Sequence, residues 1–212
     1  MLDEHAAGAI LPIEQLGRGF HKSLWLITLG VLLLCIGEMI YAHAAASPYL
    51  LKDGAEWAYD VAYFGLAAIS FGRGETTERR AAFALAAILG IGGCQGLYEI
   101  WSAITAPATD EIDNLTISAV VTILGSFAEA AVLFRFRRSH DPIVEAAWLS
   151  ARNSALTSAL GAGVTFVVRV LPNRWPQIAV DALGAYLAFQ AAAVVVKDAR
   201  KASAERIARA SS

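Results

Sequence analysis

The chain has 212 residues, 57% of them hydrophobic and 17% charged, with a mean hydropathy of +0.51. Soluble domains hold about 45–50% apolar and about 25% charged residues, so composition excludes one or two ordinary soluble domains and indicates one polytopic membrane domain. The net charge of −2 says little, because the charges are segregated along the chain.

Residues 1–22 read as a cytoplasmic lead, with LPIEQLGRGFHK as one or two interfacial amphipathic turns and Arg18 and Lys22 at the headgroups. Six apolar segments are predicted near 23–45, 50–71, 80–105, 114–136, 145–171 and 176–197, inside a transmembrane domain spanning 23–198. Each is long enough to cross the hydrocarbon layer as a helix. Barrel strands are shorter and alternate, so helices are the expected spanning element. A short basic cytoplasmic tail, 199–212, follows and reads as a charged, Ala-rich helix end. The first apolar run is too long and begins too late for a cleavable signal peptide.

The connections set the orientation. Arg18 and Lys22, Arg73, Arg79 and Arg80, Arg135, Arg137 and Arg138, and Lys197, Arg200, Lys201, Arg206 and Arg209 fall on one side. Only Arg169 and Arg174 fall on the other, where the 106–113 connection carries Asp110, Glu111 and Asp113. The positive-inside rule then puts both termini in the cytoplasm, as an even number of spans requires. A bacterial inner (plasma) membrane is the expected location.

Segment two, Leu50–Phe71, is the unusual one. At ~1.5 Å per residue it is about 33 Å long, yet it carries Lys52, Asp53, Glu56 and Asp60. Asp53, Glu56 and Asp60 are three and four apart and so share one helical face. A charge at the bilayer centre costs from ~2.5 to over ~10 kcal/mol. That stripe therefore has to face protein, water or a cation. Glu38 in segment one reaches a similar depth to Glu56, and Asn153 and Thr157, four apart in segment five, offer neutral oxygens near mid-membrane. Carboxylate, amide and hydroxyl oxygens together suit a hard cation. Glu99, Glu129, Arg152 and Asp181 are further polar residues at depth; the alternative is that such groups pair to lock the bundle, for example Arg152 with a carboxylate. GIGGCQG, residues 90–96, reads as a close helix contact. Cys35 and Cys94 read as buried small hydrophobes, and His43 and His140 as solvated turn residues.

These residues resemble a known family. SPYLLKDGAEWAYDVAYFGLAAIS resembles the second span of cation diffusion facilitator transporters, roughly S-x-A-L-L-A-D-A-x-H-x-x-x-D. Glu38 stands eighteen residues before Glu56, as that family's first-span Glu stands before its His. Glu78 opens segment three like "R-x-E-x-L-A", and Glu99-Ile-Trp-Ser-Ala-Ile resembles "E-A-I". ARNSALTSALGAGV looks like "H-x-x-x-D-x-x-x-S-x-x-V", and PQIAVDALGAYLAF is similar to "D-P-I-x-x-x-x-I-A". The resemblance runs collinearly over about residues 23–200. It implies an all-α membrane protein, a six-helix bundle of cation diffusion facilitator type, exchanging a divalent cation for protons.

By the same resemblance the transport site falls on Glu56, where the family has His or Asp; on Asp60, which matches; on Asn153, where it has His; and on Thr157, where it has Asp. Such a site is poor for tetrahedral Zn²⁺ and better suited to an oxygen-loving ion such as Mn²⁺ or Mg²⁺. Glu38, Asp53, Glu56, Asp60 and Asp181 are the expected proton-coupling and transport carboxylates. The family's usual cytoplasmic dimerising domain is not expected in this chain. The expectation is a divalent cation/proton antiporter with an altered site. The alternative is a non-transporting structural or assembly subunit of a larger membrane complex. No tightly bound cofactor is expected: Mn, Zn or Mg is the candidate transported substrate. The bilayer is the expected partner, with a homodimer or larger membrane complex, and no nucleic acid. With no nucleophile beside a base and no His-rich metal set, an intramembrane enzyme is the least supported class.

Overall fold

A computed structural model describes residues 13–46, 48–105, 115–139, 141–170 and 175–210, with the backbone alone for 13–16, 48–50, 52–53, 115–119, 165–170, 202–203 and 205–210. The described residues form six α-helices: α1 (Ile13–Ala44), α2 (Pro48–Ser70), α3 (Glu75–Thr105), α4 (Leu115–Leu133), α5 (Pro142–Val170) and α6 (Trp175–Ala210), with a 3₁₀ turn at Phe134–Phe136. Among them, Gly17–Ala44, Glu75–Thr105 and Trp175–Lys201 are each long and apolar enough to cross a bilayer. Arg152 and Asn153 interrupt the apolar run of α5.

Three helices outrun their predicted apolar segments. α1 starts at Ile13 rather than near 23, α3 at Glu75 rather than near 80, and α6 continues to Ala210. Hydropathy marks the part of a helix that suits lipid, not where its hydrogen bonding stops. The early turns of α1 are held by Phe20, whose ring meets Phe71 and Phe136 edge-on at centroid distances of 4.8 and 5.1 Å. Residues 1–12, the 106–114 connection and His140 lie outside the described residues.

Local chemistry explains the remaining boundaries. Glu78 Oε1 accepts the Gly72 N–H at 2.8 Å, closing the turn into α3. Asp141 caps α5: its Oδ1 accepts from the backbone N–H groups of Ile143 (2.8 Å) and Val144 (3.2 Å). Pro142, with no N–H to lose, occupies the first helical position. Between α4 and α5, the Arg137 guanidinium stacks 3.8 Å from the Phe134 ring centroid, and Arg135 Nη2 donates to Ser23 Oγ on α1 at 2.7 Å.

α1 packs chiefly on α2, α3 on α6, and α5 lies between α4 and α6. Phe20, Leu24, Ile27 and Val31 form one buried stripe of α1, at helical spacing, with Tyr63, Phe64, Ala67 and Ala68 of α2 in the same core. The opposite face of α1 exposes Leu26, Leu29, Leu33, Ile36 and Ile40. An apolar exterior around an alanine-rich core is the arrangement a lipid solvent selects. The predicted close contact at 90–96 falls on α6. A Cβ on Gly93 would stand 2.8 Å from the Phe189 ring, and one on Gly96 3.1 Å from the Ala185 Cβ. Gly90 touches nothing there, so only part of the run serves the contact.

Candidate functional site

The less crowded seam of the bundle, where α2 faces α3, α5 and α6, holds a cavity of about 470 Å³. Glu56 and Asp60 of α2 line it together, as their four-residue spacing requires. Asn153 and Thr157 of α5 line the same cavity, with Gln95 and Glu99 of α3 and Asp181 of α6. The four residues that the resemblance marks as a transport site are thus brought to one chamber. Glu38 is not on its lining; Cys35, one turn before it on α1, directs its Sγ to the Gly54 carbonyl of α2 at 3.5 Å. The side chain of Asp53 lies outside the described residues, so the expected three-acid stripe is seen as two.

Hydrogen bonding decides what these groups can offer. Asn153 is 9% exposed, and its amide is engaged at both ends. Nδ2 donates to the Leu187 carbonyl of α6 at 2.9 Å, and Oδ1 accepts from Arg152 Nε at 3.1 Å and Nη2 at 2.8 Å. An amide oxygen has two lone pairs, and the guanidinium takes both. Thr157 Oγ1 directs its proton to the backbone carbonyls of Asn153 (3.0 Å) and Ser154 (3.1 Å), which leaves its own lone pairs available. Gln177 Nε2 donates to Asp181 Oδ1 at 2.8 Å, and Tyr59 Oη to the Ile88 carbonyl. These two bonds tie polar groups beside the cavity within α6 and between α2 and α3.

Asp60 has a second neighbour. Glu129 of α4, only 5% exposed, lies close enough for the Asp60 charge to act on it. Segment-by-segment reading registers Glu129 as a polar residue at depth but leaves it out of the site. No spacing rule links positions on two different helices; the signal available was that Glu129 is the lone ionisable residue of α4. Among the described residues, no three His, Cys, Asp or Glu side chains converge closely enough to hold a metal ion. The polar lining therefore holds two acids on α2, Glu99 of α3 and Asp181 of α6, supplemented by neutral oxygens, with no His or Cys on it.

Comparison with the curated proteins finds no match to this chain. Residues 24–202, most of its length, match the family model described as the cation efflux transmembrane domain. An all-helical membrane protein whose chamber carries acids on α2 opposite polar residues of α5 agrees with that match, and the chain belongs to the cation efflux family.

Proposed function

We propose that this protein is a divalent cation/proton antiporter with an altered transport site, built as six membrane-crossing helices with both termini in the cytoplasm of a plasma membrane. One observation carries this function: Glu56 and Asp60 share a chamber with Asn153 and Thr157. Two carboxylates one helical turn apart on the wall of one chamber repel one another, so each state of the site favours a cation or protons to balance them. A divalent ion entering the chamber displaces those protons; when it leaves, protons return. That exchange is antiport stoichiometry written in side chains. Hydroxyl oxygens beside the carboxylates favour Mn²⁺ or Mg²⁺ over Zn²⁺. The segregation of Lys and Arg supports the orientation.

Reconstituted vesicles test this. Wild type is expected to move Mn²⁺ against a proton gradient, and Asp60→Asn to abolish that movement. Equal flux in the two proteins, or none above protein-free vesicles for Mn²⁺, Mg²⁺ and Zn²⁺, would overturn it.

A second function, a non-transporting assembly subunit, has one observation in its favour. The Asn153 side chain is spent on Leu187 and Arg152, which locks α5 to α6 where the family's resemblance places a ligand. It predicts co-purification with a larger membrane partner and no flux when reconstituted alone.

A further inference from the structure

Glu129 is the one ionisable side chain between Leu115 and Leu133. Its Oε1 is fully buried, with no hydrogen-bond partner among the described residues. A buried carboxylate left in that condition is strongly unfavourable unless a counter-charge or a proton answers it. Packing fixes what it faces. Trp57 of α2 lies against Gly125 of α4, where a Cβ would come within 2.8 Å of Trp57 Cη2 and 3.2 Å of Leu34 Cδ1 on α1. Asp60 follows Trp57 by three residues and Glu129 follows Gly125 by four. One turn on from that contact on each helix stand Asp60 and Glu129, near enough for the charge of one to act on the other.

Asp60 therefore has the open chamber on one side and Glu129 on the other. Ser126 of α4, fully buried one turn before Glu129, adds a hydroxyl whose proton goes to the Ile123 carbonyl at 3.1 Å and whose lone pairs are available. Asn153 cannot serve as an oxygen donor while Arg152 holds its Oδ1. Resting on the transport function proposed above, we infer that Glu129 is a ligand of the transported divalent cation, supplying from α4 the donor that Asn153 of α5 does not. The cation is of the hard, oxygen-binding class. It meets Asp60 from the chamber and is held between Asp60 and the buried Oε1 of Glu129.

Mn²⁺ titration of the full chain in lipid nanodiscs, read by electron paramagnetic resonance, tests the assignment. Glu129→Gln is expected to weaken Mn²⁺ binding by about 10- to 100-fold or more, as Asp60→Asn does. Glu145→Gln, a carboxylate at the far start of α5, is expected to bind like wild type. Protein carrying ¹³C at its glutamate carboxyl groups, with Glu129 intact and Glu56 and Glu99 replaced by Gln, gives a reading that does not depend on the Glu129→Gln variant folding. Hyperfine coupling from bound Mn²⁺ to ¹³C that persists in Glu56→Gln/Glu99→Gln supports Glu129 as the ligand; bound Mn²⁺ without that coupling overturns it. Loss of binding in Asp60→Asn with full retention in Glu129→Gln overturns this assignment alone. Failure of wild type to bind any divalent ion overturns both the assignment and the transport function.

Discussion

The Trp57 indole of α2 sits where a side chain at Gly125 of α4 would have to go, one turn before Asp60 on α2 and Glu129 on α4. The contact sets the register of the two helices that carry the innermost acids. Gly125→Ala is expected to force Trp57 or Leu34 aside, costing about 1–3 kcal/mol as core overpacking does. A lowered melting temperature in detergent, together with weaker Mn²⁺ binding, is the expected result. Unchanged values of both would show that the two helices are not held at this point.

The α3–α6 seam makes a parallel prediction with a built-in rescue. Gly93→Ala places a methyl group 2.8 Å from the Phe189 ring. A loss of about 1–3 kcal/mol is expected from the single change. Phe189→Leu in the same chain should recover much of it, because the obstruction is one ring, half-exposed and free to be shortened. Melting temperatures of both single variants and the double variant give the coupling, which should be clearly non-additive.

Replacing the α5 pair tests whether the chamber discriminates by donor type. Asn153→His with Thr157→Asp installs a ring nitrogen and a third carboxylate on a lining that holds Glu56 and Asp60. Zn²⁺ affinity is expected to rise by at least about tenfold, or ~1.4 kcal/mol, relative to Mn²⁺. Isothermal titration with the two ions measures it. An unchanged ratio would place the bound cation away from α5.

Orientation is open to direct chemistry. After Cys35 and Cys94 are replaced by Ser, single cysteines introduced as Ser139→Cys and Ala204→Cys are expected to react with a membrane-impermeant maleimide from one side. Ala45→Cys should react from the other. Labelling of all three from the same side would contradict six crossings with both termini inside.

Much of this protein could be read from the chain itself. Its apolar content and six hydropathic segments dictated an all-helical bundle, because lipid leaves the backbone no other way to satisfy its polar groups except a closed barrel. The four-residue interval between Glu56 and Asp60, and that between Asn153 and Thr157, predicted shared faces, and each pair does line the one chamber. Helix periodicity is local, so sequence alone carries it. What lies across from those faces is not local. Whether Asn153 offers an oxygen depends on Arg152 beside it and on Leu187 thirty-four residues away. The approach of the Asp60 turn of α2 to the Glu129 turn of α4 depends on a tryptophan settling over a glycine of another helix. Such contacts follow from how close two helices can come and at what rotation, which is set by the summed shapes of many side chains and is visible only once the chain has folded.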